Sequence, residues 1–287
     1  MRLIRFGEKG SEKPGIMHED QRLDCSDHFA DWNHDFFAND GLQWLMAKDV
    51  STFPAVPVNE RWGSPIARPY KIICVGLNYA DHAAESQSKV PSEPLLFTKY
   101  GNALNGPFDD VLIPRNLKAG AHSTQTDWEV ELAIIIGKDG QYLESESQAA
   151  EHIAGYCTAN DVSERDFQKN RCGQWFKGKS CDTFLPLGPE LVTADEVDDP
   201  TNLNLELTVN GEVRQSSSTE HMIFKPHFLV QYISQFLTLE AGDIICTGTP
   251  PGVGMGMNPP QFLKDGDQVQ VTVEGLGTQT QTFRNHP

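Results

Sequence analysis

The stretch Asp127-Trp-Glu-Val-Glu-Leu-Ala-Ile-Ile-Ile-Gly137 joins two features that rarely occur together, alternating acidic residues and an unbroken apolar run. The run from Leu132 to Ile136 has the composition of a strand that is buried on both faces. Because side chains alternate between the two faces of a strand, Glu129 and Glu131 point to the same face. The segment therefore predicts a buried strand that carries two like charges towards the interior.

Two such carboxylates repel each other and lose hydration. A divalent cation would remove both penalties, and carboxylate oxygens suit Mg²⁺, Mn²⁺ or Ca²⁺, whereas no His or Cys pair stands nearby to favour Zn²⁺. Asp161 follows a second apolar segment, Gly155 to Ala159, from which a loop can direct it to the same ion. The alternative is a solvated strand face followed by an Asn-Asp turn or helix cap.

The segment Asp81-His-Ala-Ala-Glu85 has helical composition. Positions i and i+3 are neighbours on a helix, so Glu85 can hold the ring of His82 and raise its basicity. This pair is a candidate general base for a water molecule. The alternative is a surface histidine beside a surface glutamate.

Two further segments suggest an anionic ligand. Lys179 stands among aromatic and small residues, where it can bind a substrate carboxylate or a developing enolate, unless it is a solvated loop lysine. The glycine-rich stretch Thr247 to Gly256 lacks the Lys-Ser/Thr pair of a P-loop, and Asn258-Pro-Pro follows where a dinucleotide fingerprint needs a helix. We expect a tight loop that brings backbone N–H groups and the Thr249 hydroxyl to a bound anion.

The remaining pattern favours an α+β, strand-rich fold with many short strands and no regular β-α-β alternation. Leu203 to Val209 alternates and leads into Asn210-Gly211, a pair that favours a two-residue hairpin turn. A turn is expected at Lys13-Pro-Gly15, and a helix is expected from Tyr79 to Glu85 with Asn78 as its cap. We predict a small N-terminal domain in residues 1–65 and the main domain in residues 66–287. Prolines between residues 52 and 70 indicate the linker.

The charge balance excludes several classes of partner. The chain of 287 residues has 23 Lys and Arg against 40 Asp and Glu, a formal net charge of −17, which repels nucleic-acid backbones and anionic membranes. No stretch approaches the roughly 20 apolar residues that cross a bilayer, and the N-terminus lacks the apolar core of a signal peptide. The six scattered cysteines suit a reducing compartment. We therefore expect a cytoplasmic protein without nucleic-acid or membrane partners.

Six segments between Lys71 and Phe283 together resemble the fumarylacetoacetate hydrolase family, in the family's order and spacing. They are GLNYADHAAES (76–86), TDWEVELAIIIG (126–137), GYCTANDVSERDFQ (155–168), GKSCDTFLPLGP (178–189), LTVNGEVRQ (207–215) and ICTGTPPGVG (245–254). Within the family the chain is most similar to the bacterial group of 2,4-diketo-3-deoxy-sugar-acid hydrolases and ureidoglycolate lyases.

The resemblance implies a mixed β-roll catalytic domain in residues 66–287, a smaller variable domain in residues 1–65, and a homodimer. It also implies one Mg²⁺ or Mn²⁺ ion held by Glu129, Glu131 and Asp161.

The resemblance further implies the catalytic roles. His82 and Glu85 would activate water from a helix that often belongs to a mobile lid, and Lys179 would stabilise an enolate. Substrate contacts are implied for Arg165, Gln168, Lys179 and Thr249.

The expected reaction is metal-dependent hydrolysis of a C–C bond in a 2,4-diketo acid, in particular a 2,4-diketo-3-deoxy-sugar acid. The products would be pyruvate, which leaves as an enolate stabilised by the metal, and a carboxylic acid. The partner is thus a small anionic 2-keto or 2,4-diketo acid. Alternatives are a ureidoglycolate lyase, a 2-keto-acid decarboxylase or isomerase, and a non-catalytic metal- or anion-binding module, against which the candidate general base argues.

Overall fold

The computed structural model describes residues 1–85 and 89–287, and the side chains of His82, Ala83 and Ala84 also lie outside the described part. Among the described residues, none of the helices has the length and apolar character needed to span a membrane. The strands are β1 (Arg2–Phe6), β2 (Lys13–His18), β3 (Gln21–Asp24), β4 (Trp62–Gly63), β5 (Ile72–Gly76), β6 (Leu95–Lys99), β7 (Leu104–Asn105), β8 (Val111–Ile113), β9 (Arg115–Asn116), β10 (Ala121–His122), β11 (Thr126–Asp127), β12 (Val130–Ile136), β13 (Ile153–Asn160), β14 (Ser163–Glu164), β15 (Leu185–Pro186), β16 (Leu191–Thr193), β17 (Asn204–Val209), β18 (Glu212–Ser218), β19 (Ile244–Cys246), β20 (Gln268–Val273) and β21 (Thr278–Asn285). The helices are short: α1 (His34–Ala38), α2 (Gly41–Met46), α3 (Ala80–Glu85), α4 (Glu146–Ala150), α5 (Arg165–Lys169), α6 (Phe176–Lys179) and α7 (Pro226–Ile233).

Two sheets form the centre of the molecule. The larger has the strand order β3-β2-β1-β16-β13-β12-β19-β5-β6, with β4 paired to β1, and the smaller has the order β18-β17-β20-β21-β8. They pack on each other where β12 and β13 meet β17 and β20. The prediction of a strand-rich α+β fold is confirmed.

Strand β12 is the acidic and apolar stretch that the sequence singles out. All seven of its residues are buried, and it pairs antiparallel with β13 on one side and with β19 on the other. A strand covered on both edges and both faces needs apolar side chains throughout, and each Ile or Leu that it buries contributes roughly 1.5–3 kcal/mol. The apolar run therefore positions the strand that follows Glu129 and contains Glu131.

Gly155 on β13 marks a close approach between strands. A Cβ atom at this position would lie 2.1 Å from the carbonyl oxygen of Val192 on β16. We expect Gly155→Ala to separate β13 from β16 and to lower the free energy of unfolding by about 2–3 kcal/mol. Urea denaturation measures this, with Gly101→Ala as the matched control because no atom approaches within 4 Å of a Cβ there. Equal stability of the two variants would contradict the close approach.

The N-terminal strands belong to the larger sheet, because β1 pairs antiparallel with β16. The turn predicted at Lys13-Pro-Gly15 is wrong, since these residues begin β2 and the turn lies at Glu19 and Asp20, both with positive φ. Pro14 has no N–H to donate, but the Pro14 carbonyl accepts the N–H of Cys25 and the Cys25 carbonyl accepts the N–H groups of His28 and Phe29 instead. The division at residue 65 stays a prediction.

Asn78 has a different role from the predicted helix cap. Its side-chain amide donates to the carbonyls of Phe224 (2.9 Å) and Thr247 (2.8 Å), and its oxygen accepts the N–H of Phe224 at 2.7 Å. A buried amide is satisfied here by residues far away in sequence, which a local capping rule cannot anticipate. Asn78 thus connects the end of β5 to the glycine-rich stretch.

Candidate metal centre and active site

The structure brings together the three carboxylates that the sequence nominates. Glu129 precedes β12, Glu131 lies on it, and Asp161 follows β13 directly, with its N–H bonded to the Glu129 carbonyl at 2.9 Å. One carboxylate oxygen from each of the three lies within 4.8 Å of the other two, and all three residues are buried. Antiparallel pairing of β12 with β13 is therefore what makes residues 30 positions apart converge.

Two buried lysines contact Asp161, one at each of its carboxylate oxygens. The Lys179 ammonium lies 2.6 Å from Oδ2 of Asp161 and 2.7 Å from Oε2 of Glu129. The Lys99 ammonium lies 2.5 Å from Oδ1 of Asp161 and 3.0 Å from the carbonyl oxygen of Val162. The sequence analysis missed Lys99, because a lone lysine at the end of a strand normally indicates a solvated strand end.

The charged form of Glu131 is costly in this group of buried carboxylates. Burial raises its pKa well above the usual range, and the neighbouring Asp161 and Glu129 raise it further. Its Oε2 accepts the N–H of Gly248 at 2.8 Å. For Lys179, burial alone would lower the pKa, but Asp161 and Glu129 outweigh burial and raise it.

This donor set fits a divalent cation. It offers three buried carboxylates, which is the ligand type that Mg²⁺ and Mn²⁺ prefer. The charged form of Glu131 is costly until a cation lies beside it. Metal binding by these residues stays a prediction, and the geometry identifies the three carboxylates that would hold the ion.

Arg165 lies against the same cluster. Its Nε is 2.8 Å from Oδ2 of Asp127, its Nη2 is 2.7 Å from Oε1 of Glu129, and its Nη1 donates to Gln168 at 3.0 Å. Burial alone would lower its pKa, but the two carboxylates outweigh burial and raise it. The two predicted substrate contacts, Arg165 and Gln168, are thus adjacent on α5.

The glycine-rich loop, residues 247–256, directs backbone N–H groups at carboxylates of the chain itself. Gly248 and Gly252 adopt φ values of +97° and +103°, a region that favours glycine. The donors and acceptors are Gly248 to Glu131 (2.8 Å), Gly252 to Glu85 (3.0 Å), Gly254 to Asp127 (2.7 Å) and Met255 to Asp127 (3.0 Å). Asp127, to which the sequence analysis gave no role, therefore joins this loop to Arg165.

Thr249 lies at the cavity wall, but its hydroxyl is already bonded. The hydroxyl donates to the Val130 carbonyl and accepts from the Gln215 amide, both at 2.8 Å. Gln215 Oε1 in turn accepts the N–H of Val130 at 2.9 Å. The predicted contact of Thr249 with substrate stays a prediction, and Gln215 is a positioning residue that sequence analysis did not identify.

A cavity of about 50 Å³ opens onto the carboxylates. A water molecule needs roughly 10–15 Å³ by the same measure, so this volume accommodates an ion with a few waters. Its polar lining residues are Glu129, Glu131, Arg165, Gln168, Lys169, Lys179 and Thr249. Its other lining residues are Val75, Gly76, Leu77, Phe97, Trp175 and Met255.

The candidate general base is described only in part. Glu85 ends α3, and its carboxylate accepts the N–H of Gly252 at 3.0 and 3.2 Å. The side chain of His82 lies outside the described residues, so the predicted activation of water by His82 and Glu85 stays a prediction.

Comparison with known proteins gives consistent results. The family model for the fumarylacetoacetate (FAA) hydrolase C-terminal domain matches residues 71–284. A relative from Burkholderia multivorans, named only as a presumed hydrolase, is 47% identical over 286 residues, and the match covers 99% of each of the two chains. Fumarylacetoacetate hydrolase from Exiguobacterium antarcticum is 38% identical with a TM-score of 0.87, covering 100% of both chains. Maleylpyruvate hydrolase from Sphingobium sp. SYK-6, whose structure contains manganese and pyruvate, is 28% identical with a TM-score of 0.82, again over 100% of both chains.

Proposed function

The chain belongs to the fumarylacetoacetate hydrolase family, and on that premise we propose that it is a divalent-metal-dependent hydrolase of a 2,4-diketo acid. The reaction would break the C3–C4 bond and release pyruvate and a carboxylic acid. The observation that carries the proposal is the buried carboxylate triad with the ammonium of Lys179 between two of its members. The sugar acid expected from the sequence is one member of this substrate class.

Glu129, Glu131 and Asp161 would hold the cation, and either Mg²⁺ or Mn²⁺ suits three oxygen ligands. When bound, the cation supplies Lewis-acid polarisation of the carboxylate and keto oxygens of the substrate. Manganese in the structure of maleylpyruvate hydrolase supports this class of ion.

The chain's own cations would stabilise the negative charge that develops on the substrate. Lys179 keeps its proton because two carboxylates face it, and its ammonium also lies 5.0 Å from the centre of the Phe97 ring. Such a fixed donor stabilises the oxygen of the departing pyruvate enolate without reorganising. Arg165 is oriented by Asp127 and Glu129, so its guanidinium is preorganised for an anionic substrate.

Hydrolysis consumes one water molecule. Its hydroxyl adds to C4, which becomes the carboxylic acid, and its proton ends on C3, which becomes the methyl group of pyruvate. In this proposal His82 accepts the proton of the water, with Glu85 as its partner. The bond from the Gly252 N–H to Glu85 supports a fixed position for that carboxylate.

Product analysis tests the proposal. We expect pyruvate from acylpyruvates with Mg²⁺ or Mn²⁺, no reaction after chelation, and no reaction with a Glu131→Gln preparation as the purity control. The panel includes 2,4-diketo-3-deoxy-sugar acids, ureidoglycolate, oxaloacetate and an unsaturated 2-keto acid. Release of urea, decarboxylation or double-bond migration, with every diketo acid left intact, would replace the proposed reaction with one of the alternatives.

A further inference from the structure

We propose that Lys169 selects substrates that carry a second carboxylate beyond the carbonyl that is attacked. This inference rests on the proposed function and names its substrate class, a 2,4-diketo diacid. Three independent observations carry it: the position of Lys169 on α5, the absence of a partner for its ammonium among the described residues, and the apolar residues that line the same cavity.

Lys169 lies on the same face of α5 as the two predicted substrate contacts. Arg165, Gln168 and Lys169 are at positions i, i+3 and i+4, which are neighbours on a helix, and all three line the cavity. Arg165 and Gln168 are buried, whereas Lys169 is exposed. Because one helical turn rises about 5.4 Å, the three residues extend from the carboxylate cluster to the mouth of the cavity.

The ammonium of Lys169 has no hydrogen bond or ion pair within residues 1–85 and 89–287. The other cations of the cavity, Arg165 and Lys179, each contact two carboxylates. Although Lys169 is exposed at the surface, partial desolvation of its ammonium lowers the pKa, and the positive charge of Arg165 lowers the pKa further. A ligand carboxylate beside the Lys169 ammonium would counter both effects.

The charge of the cavity wall also favours a dianion. Once the buried Asp161 is included, the three cations Arg165, Lys169 and Lys179 balance the three carboxylates of the triad. A bound divalent cation then leaves an excess of two positive charges. A monocarboxylate would balance one of them, and a second carboxylate at the mouth balances the other.

The apolar part of the cavity wall suits a carbon chain better than a polyol. Phe97 and Trp175 meet edge to face with ring centres 5.3 Å apart, and Leu77 and Met255 extend the same surface. Apart from the indole N–H of Trp175 and the weakly accepting sulfur of Met255, these side chains offer no hydrogen bonds to the hydroxyl groups of a sugar-acid chain, which would lose hydration here. A ligand with an apolar segment between two carboxylates therefore suits a cavity that combines these apolar residues with two separate cationic positions.

Binding of unreactive 2-oxo acids tests the inference independently of turnover. Calorimetry with Mn²⁺ compares 2-oxoheptanedioate with 2-oxoheptanoate, which differ only in the terminal carboxylate. We expect the diacid to bind about five- to tenfold more tightly to the natural protein, a preference that decreases with salt. Lys169→Met should remove the preference, whereas Lys118→Met, which replaces an exposed lysine outside the cavity wall, should keep it. Equal binding of the two acids, or a preference that survives Lys169→Met, would overturn the inference.

Turnover separates this inference from the proposed function. In a matched pair of acylpyruvates, Lys169→Met should lower kcat/KM for the diacid about five- to tenfold, mainly through KM, and leave the monoacid unchanged. Hydrolysis of both acids at equal rates by the natural protein, or faster hydrolysis of a sugar acid, contradicts the role of Lys169 and leaves the hydrolase proposal intact. If neither acid is cleaved, the proposed hydrolysis fails, and the binding preference above still decides the role of Lys169.

Discussion

Glu131→Gln is expected to weaken binding of Mg²⁺ or Mn²⁺ by at least about a hundredfold and to stabilise the metal-free protein. Burial and the two neighbouring carboxylates make the charged form of Glu131 costly, as its raised pKa indicates. Gln has nearly the same shape and can still accept the N–H of Gly248 through its carbonyl oxygen. The substitution therefore removes a repelled charge and a proposed metal ligand together.

Calorimetry measures the affinity, and thermal unfolding in EDTA measures the stability. Relief of roughly 1 kcal/mol should raise Tm by about 2–4 °C, and added metal should no longer raise it further. Glu164→Gln is the matched control, because burial also raises the pKa of Glu164 but that residue lies outside the triad. Metal affinity that is unchanged in Glu131→Gln would remove Glu131 from the coordination sphere.

Lys179→Met is expected to lower kcat by about 10²–10³-fold while the protein still binds metal. Lys179 is the cation that both lines the cavity and contacts two of the three carboxylates. Its loss removes the donor proposed for the enolate oxygen. It also removes one of the two cations that Asp161 contacts and one of the two that Glu129 contacts, which lowers the stability of the metal-free protein. A bound divalent cation should restore much of that stability.

Lys99→Met is the control variant for Lys179→Met. Lys99 contacts the same carboxylate of Asp161 but does not line the cavity. We therefore expect it to lower stability and metal affinity, with kcat at saturating metal reduced by less than about tenfold. Stopped assays at saturating Mn²⁺, together with unfolding curves with and without metal, distinguish the two variants. An equal fall of kcat in both would show that Lys179 acts only as a structural counterion.

The sequence was sufficient at β12 and at the hairpin between β17 and β18, where a local pattern determines the structure, although the local pattern at Lys13-Pro-Gly15 was misleading. The period of two in Glu129-Val-Glu131 and the apolar run behind it predicted a buried strand, which β12 (Val130–Ile136) confirms. The hairpin at Asn210-Gly211 is likewise confirmed, because both residues take the positive φ that this turn requires.

The sequence was insufficient where a buried polar group is satisfied across the fold. Asn78, Lys99 and Gln215 bond to partners 34 to 169 residues away along the chain. Each looks ordinary in its local context, since an isolated polar residue is compatible with a cap, a strand end or a solvated face. Such partners come together only in the folded chain, because they lie on elements that are far apart in sequence.

The position of β12 at the centre of the larger sheet also bears on how the metal would be loaded. Glu131 projects from a strand that is hydrogen-bonded to β13 and β19, so its backbone cannot move without breaking the sheet. The ordering of this proposed ligand is thus completed during folding rather than when the ion arrives. Loading would then be limited by how readily an ion gives up its own waters, and Mg²⁺, which dehydrates reluctantly, should load more slowly than Mn²⁺.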